Sequence, residues 1–532
     1  MSSFRDSPDK NDPDPRYQTP TDLEDPHVNI PLREALRQYS KVTWWILGIS
    51  TVIILWGYDL AVVGAVSSLD PFQRDFGQFD KIEDGEEKWI IPGIWLSIWQ
   101  AMPSVGQLAG ALAAGPMMDK LGRKKCILFG AVIVTLSVLL EFMANRMPSK
   151  EGMRRLFLAG KIIQGFATAL IKMATLTWVS EIVPTCLRGA SMMVFPSCNL
   201  VGQFIGAVLV FGINAIKTDM GYLVALGVQW IFSIAPLLVA IYLPESPAYL
   251  VRQKRMDEAK HSIDCLFAPK NDTDAILEKF RVLVAEEERL NEGISYISCF
   301  KGTQMRRTWV AIYANFLPPL FGLPLVSSGS YFLQQLGMKN FYSLLFLVIG
   351  IVIGFIGNLG STWTMTHVGR RRLTINSLLL IALLWAVMGI LGCFPTAYNI
   401  TQWISAALMM AIIFVAGVGV WTTSYVISSE VSSLRLRAKT QSIGGIAAYM
   451  ASFVTNFALP LLYNPDQADL KALTGWVFFA TSVLAALGTW WFVPEMLGRT
   501  PVEIDHLFAE KVSARKSAVW RDASVEGKAA DF

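Results

Sequence analysis

The chain has 532 residues, 53% hydrophobic and only 17% charged, with a formal net charge of +4. Soluble domains carry about 25% charged residues, so this composition excludes a cytosolic enzyme, a nucleic-acid-binding protein and a disulfide scaffold. The six cysteines (Cys126, Cys186, Cys198, Cys265, Cys299 and Cys393) show no CxxC or Cys/His metal spacing. They read as packed or reduced thiols, and neither a metal nor a cofactor is expected.

Residues 1–41 are polar and hold six prolines. A segment of this kind buries too little apolar surface to fold and reads as a disordered tail. It does not have the charged-then-apolar start of a cleaved signal, so the first apolar block is expected to be a membrane helix. A bilayer core of about 30 Å needs about 20 apolar helical residues. Blocks of that length lie near 42–65, 92–116, 126–145, 155–176, 192–213, 221–243, 308–333, 341–363, 373–393, 401–427, 441–463 and 472–493.

These blocks predict an all-α membrane protein with twelve transmembrane helices in two six-helix halves, 42–243 and 308–493. Gly57 and Pro92 are places where spans 1 and 2 could break. Between the halves, 244–307 is polar with amphipathic helical text at Met256–Leu266 and Asp274–Leu290. It is expected to form short helices strapping the halves together, and 494–532 reads as a short tail. Loop charge sets the orientation. With both ends inside, the inner segments hold 34 Lys and Arg against 10 in the outer loops. Both ends and 244–307 are therefore expected to be cytoplasmic.

The two halves repeat each other. Gly122-Arg123-Lys124-Lys125 follows span 2 and Gly369-Arg370-Arg371-Arg372 follows span 8, an offset of 247. Glu181 and Arg188 follow span 4, Glu430 and Arg437 follow span 10, and both offsets are 249. Pro244-Glu245 ends span 6 and Pro494-Glu495 ends span 12, an offset of 250. One offset kept across three loops marks a duplicated six-helix unit. Parallel repeats of this kind place a site at midplane between the halves and work by rocking.

The strings DKLGRKK, VGRRR, SEIVPTCLRG, PESP, SSEVSSLRLRAKT and PEMLGRTPVEIDHLF resemble the sugar porter family of the major facilitator superfamily over about 45–515. GQFIGAV at 202–208 and SYFLQQLGM at 330–338 resemble its fungal alpha-glucoside and hexose permease branch. The resemblance implies the major facilitator fold and transport of a small molecule, expected in a monomer spanning the lipid bilayer of the plasma membrane, without nucleic acid.

Arg123, Lys124, Arg370 and Arg371 are expected to face Glu181, Glu245, Glu430 and Glu495. Together with Arg188 and Arg437 they form either a gating network across the inner face or plain positive-inside charge. As a gate, the pairs would hold an outward-open state and break on the inward swing.

Ionisable residues inside a membrane are rare and functional by default. Asp59 in span 1 and Lys161 in span 4 both lie roughly 9 Å below the outer boundary, and opposite charges at one depth invite pairing. The resemblance implies an Asp in span 1 facing an Arg in span 4, the pair that proton-coupled members use; Lys161 stands at the Arg position. Lysine shifts its pKa more readily than arginine, so a proton-coupling pair and a structural ion pair both remain open. Lys172 falls on the same helix face as Lys161 and either snorkels or presents a cation to the cavity. Glu141, near the outer end of span 3, is expected at the interface.

Substrate contacts require polar groups with stacking aromatics. Gln203, Tyr331, Trp421, Tyr425 and Asn456 are candidates, with Tyr425 and Asn456 at positions implied by the resemblance. The same resemblance implies a Gln-Gln pair in span 7, where this chain has Pro318-Pro319. The expected function is proton-linked sugar uptake by alternating access, not an enzyme activity. The alternatives are a transporter or exporter of a less polar metabolite and, third, a non-transporting sensor.

Overall fold

The structure is a computed structural model that describes residues 32–83, 86–184, 187–267, 272–291, 295–394, 398–433 and 436–520. Twelve membrane-length helical segments run through the described residues, and ten are apolar enough on their own to cross a membrane. In the first half these are Ser40–Ile49 continued by Thr51–Val66, Gly93–Leu121, Arg123–Met143, Lys150–Ile182, Arg188–Ile213 and Met220–Tyr242. In the second they are Gly302–Leu320 with its continuation to residue 335, Asn340–His367, Arg370–Gly392, Tyr398–Val418 with Val420–Glu430, Arg437–Tyr463 and Thr474–Phe492.

Several boundaries depart from the sequence reading for local reasons. Span 1 breaks at Ser50, not at Gly57. Gly57 is where span 5 comes closest, since a Cβ there would lie 2.0 Å from the Asn199 carbonyl oxygen. Pro92 does not break span 2 but caps its start. Span 7 breaks just after its two prolines, at Gly322 with φ +94°, and resumes as Leu323–Ser327 and Gly329–Gln335. Proline removes the backbone donor and glycine accepts the left-handed turn. Span 10 breaks at Gly419, between Val418 and Val420.

Glycines also set the helix spacing. Added Cβ atoms at Gly106 and Gly165 would strike the Ile162 and Pro103 carbonyl oxygens at 2.2 and 2.3 Å, so spans 2 and 4 pack backbone to backbone. Close packing through small residues is how helices associate in lipid, where burial of apolar surface gives no drive.

Outside the spans, the chain is helical from Leu32 where an unfolded tail is expected up to residue 41. Ala35 and Tyr39 are buried, and the Tyr39 ring meets Phe267 edge-on at 6.2 Å, which anchors the segment. The rest of the expected tail lies outside the described residues. A β-hairpin, Gln78–Glu83 against Glu86–Ile90, adds the only strands among the described residues to the helical fold. The helices of the central stretch, Pro247–Arg252, Met256–Phe267 and Thr273–Asn291, do not straddle the halves. Ala259, Ile263, Leu266, Leu277 and Val284 are buried in one core with first-half residues such as Ile127 and Trp178.

An even number of spans puts Leu32, Trp520 and the described helices of the 244–301 connection on one side, here called the terminal face. On the far side a single hydrophobic core runs through both halves, from Tyr58, Phe72 and Trp99 to Phe332, Trp385 and Tyr463. Toward the terminal face each half has a core of its own. The halves are joined on the far side and separate toward the termini.

Candidate functional site

The charges inside the first half converge. Lys161 Nζ lies 2.9 Å from Asp59 Oδ1 and 2.9 Å from Glu141 Oε2. It also donates to Gln164 Oε1 at 2.8 Å, while Gln229 Nε2 donates to Asp59 Oδ1 at 3.1 Å. The ammonium hydrogen-bonds Asp59 and Gln164, while Glu141 stands beside it at ion-pair distance without a hydrogen bond. Spans 1, 3, 4 and 6 therefore meet at one cluster. Lys161 and Glu141 are 1% and 0% exposed at the side chain, and Asp59 17%.

Glu141 corrects the sequence reading, which places it at the interface. Span 3 carries it inward against span 4, where a Cβ on Gly160 would stand 2.6 Å from Glu141 Cγ. The missing side chain at Gly160 makes the room. Gln164 and Gln229 are likewise absent from the sequence reading. Gln164, one turn beyond Lys161 on the same helix face, was findable by spacing; Gln229 was not. Lys172 rests over the Trp56 ring, 3.6 Å from its centroid, a cation–π contact within the membrane layer.

The polar candidates are not gathered into one hydrogen-bonded set. Gln203 gives its amide to Asn199 Oδ1, 2.7 Å away on its own helix. Tyr331 is fully buried and donates to Asn464 Oδ1 at 3.1 Å. Trp421 and Tyr425 share a face of Val420–Glu430, Trp421 packed against the core and Tyr425 open, while Asn456 is half-buried on span 11. In span 7, Pro319 is buried and Pro318 half-buried. Asn315, which the sequence reading passes over, donates to Ser428 Oγ at 2.9 Å and ties span 7 to span 10.

Two further clusters lie at the terminal face, one per half. Arg123 Nη2 pairs with Glu181 Oε1 at 2.7 Å, and its Nη1 donates to the Met118 carbonyl at 3.2 Å. Glu245 Oε1 accepts the Arg123 and Lys124 backbone N–H groups at 2.9 and 3.1 Å. Ser246 donates its hydroxyl to Glu181. The second half repeats this: Arg370 Nη2 to Glu430 Oε1 at 3.0 Å, Nη1 to the Met365 carbonyl at 2.9 Å, and the Arg370 N–H to Glu495 Oε1 at 2.8 Å. The glycines before each arginine let the carboxylates dock, since Cβ atoms on Gly122 and Gly369 would meet Glu245 and Glu495 oxygens at 2.3 and 2.2 Å. Burial, with Glu245 beside it, raises the pKa of the Tyr249 phenol over which Arg123 lies.

The expected pairing across the two halves gives way to pairing within each half. Each arginine opens a helix just after a short turn, Gly122 in one half and Val368-Gly369 in the other, and the acids its side chain reaches belong to its own repeat. Both clusters are intact while the far side is closed. Arg437 donates to the Ser429 carbonyl at 3.3 Å, and Arg371 to the Trp490 carbonyl at 2.7 Å. The Arg188 side chain lies outside the described ones.

The far side is sealed by hydrogen bonds between halves. The Gly93 N–H donates to both Asp466 oxygens at 3.1 and 2.9 Å, and Asn464 donates to the Ile91 carbonyl at 2.9 Å. Gln334 donates to the Ser68 carbonyl at 2.8 Å and accepts from Gln73 at 3.1 Å. Asn340 donates to Asp70.

Comparison with known proteins agrees with this architecture. An alpha-glucosides permease of Saccharomyces cerevisiae, MPH3, is 28% identical over 501 residues, 92% of this chain and 80% of that protein. The MFS transporter fmqE of Aspergillus fumigatus is 27% identical over 468 residues, 85% of this chain and 83% of its own. The inward-open xylose transporter XylE from E. coli superposes with a TM-score of 0.70 at 20% identity, covering 88% of this chain and 99% of that one, which shows the fold. Residues 45–508 match the family described as sugar (and other) transporter, and the chain therefore belongs to that family of multi-pass membrane transporters.

Proposed function

We propose that the protein is a proton-linked sugar importer of the plasma membrane, working as a monomer by alternating access. The observation that carries this is the Asp59–Lys161 ion pair at 2.9 Å inside the membrane layer, with 17% of the aspartate side chain still open. Ionisable groups paired inside a membrane and open to a cavity are where transporters couple to ions. Its neighbours by similarity include a maltose permease of yeast and a proton:xylose symporter.

The lysine and arginine bias places the terminal face in the cytoplasm. The closed far face is then extracellular and the described state faces inward. Outward opening must break the Asp466, Asn464 and Gln334 contacts. The Arg123 and Arg370 clusters, each closed within its half, keep the halves stiff enough to rock as units and set the cost of the swing. Gln203, Trp421, Tyr425 and Asn456 supply the substrate contacts once the halves close on a ligand, with Tyr331 behind them in the seal.

The test is uptake of radiolabelled glucose and maltose into a transport-null host, with and without a protonophore. Accumulation above the outside concentration that collapses with the protonophore is the expected result. Uptake of neither sugar would sink the proposal. A second reading, transport of a less polar metabolite, draws on Pro318 and Pro319, which give span 7 no side-chain donor at those positions.

A further inference from the structure

The cluster holds one negative charge too many. Asp59, Glu141 and Lys161 meet in one group, and with all three ionised the sum is −1 at a site where Lys161 and Glu141 are fully buried. The charged groups facing Glu141 from the packed helices are Lys161 on span 4 and Asp59 on span 1. Span 6 contributes the uncharged Gln229, and Tyr58 gives its hydroxyl to the Ala225 carbonyl instead. Among the described residues no second cation balances the set.

The two carboxyls are not equivalent. Asp59 Oδ1 accepts from both Lys161 and Gln229, and its side chain is partly open. Glu141 is fully enclosed; its Oε2 lies 2.9 Å from the Lys161 ammonium, but both of its oxygens are buried without a hydrogen-bond partner. A carboxylate there would leave charge on an unsolvated oxygen, whereas a neutral carboxyl leaves a weaker dipole unpaired.

We propose that Glu141 holds the proton in the inward-facing state, so that the coupling unit is a two-carboxyl, one-ammonium site in which Glu141 stores the proton and Asp59 faces the cavity. The step is a proton transfer only: an O–H bond forms at Glu141 as one breaks in a hydronium ion of the cavity, leaving neutral water, and the reverse transfer returns the proton to water as hydronium when the site rehydrates. Lys161 stays an ammonium, shared between the two acids. This rests on the proton-linked reading above, but its primary readout does not need transport.

The experiment is infrared difference spectroscopy of the purified full-length protein in lipid, reading the C=O stretch of protonated carboxyls. The wild type should show at neutral pH a band that disappears at alkaline pH and is missing in Glu141→Gln. Asp59→Asn should also lose the band, because Lys161 then balances Glu141 alone and Glu141 ionises. Retention of the band in Asp59→Asn, or its absence from the wild type at neutral pH, would overturn the proposal even if Glu141→Gln failed to fold. In proteoliposomes Glu141→Gln, a mimic of the proton-loaded form, should keep substrate exchange within about threefold of wild type while losing uphill accumulation. Wild-type accumulation in that variant would also overturn it. Absence of sugar transport by the wild type would instead remove the sugar reading and leave the infrared result standing.

Discussion

The repeated terminal-face clusters make a prediction that the fold itself controls, because each half serves as reference for the other. Arg123→Gln removes a guanidinium with a 5% exposed side chain from a glutamate 15% exposed, whereas Arg370→Gln acts on a pair 16% and 26% exposed. Breaking one partner out of a buried pair costs about 3–5 kcal/mol, and losing a hydrogen bond to a charged group nearer solvent about 1.5–3 kcal/mol. The first-half change should therefore cost about twice as much as the second. A half of roughly 200 residues shifts by about 2–4 °C per kcal/mol, so Tm should fall by about 6–20 °C for Arg123→Gln and about 3–12 °C for Arg370→Gln. Tryptophan fluorescence during heating in detergent reads both. The cycle Arg123→Gln, Glu181→Gln and the double variant should return a coupling of at least about 1.5 kcal/mol. Equal losses in the two halves, or a coupling below about 0.5 kcal/mol, would refute the burial argument.

Asp59→Asn should abolish accumulation against a gradient yet leave counterflow of preloaded substrate measurable; accumulation by this variant would assign Asp59 a purely structural role. Gly57→Ala places a methyl 2.0 Å from the Asn199 carbonyl oxygen, so spans 1 and 5 must separate, and membrane expression measured by a fluorescent fusion should fall severely. Pro318→Gln with Pro319→Gln should tighten sugar binding by about tenfold per hydrogen bond gained, read by competition against labelled substrate, provided the circular dichroism spectrum shows span 7 intact. Asp466→Ala removes the acceptor for the Gly93 N–H and should shift the population toward the outward-open state, seen as faster labelling of a cavity cysteine from the far side.

The duplication was legible because its residues lie in loops, where one offset of about 250 survives while apolar helix text drifts. Span number followed from block length alone. What periodicity could not supply was the direction in which single polar residues point. Glu141 sits near a helix end by count, yet Gly160 on the neighbouring helix opens the space that draws it inward. Breaks were half legible: Gly322 after two prolines is a strong stop, but the break at Ser50 is preceded only by Gly48, a single glycine like many others inside the membrane helices. The attachment of the central helices to the first half depended on which side their apolar stripe meets, and a stripe does not name its partner. Pairing of the arginines within each half was set by reach, which offsets along a chain do not measure.

The far-side seal draws unequally on its two partners. The second half offers side chains, Asp466, Asn464 and Gln334, while the first answers largely with main chain, the Gly93 N–H and the Ile91 and Ser68 carbonyls. Main-chain groups are indifferent to the side chains beside them. Substitution scanning should therefore find the resting balance between the two openings adjustable from residues 330–340 and 460–470, and nearly mute to volume-conserving changes at the buried positions 68 and 91. Selection on transport rate would then leave its record mainly on one edge of the closure, with the opposite edge held chiefly at Asp70, Gln73 and Gly93.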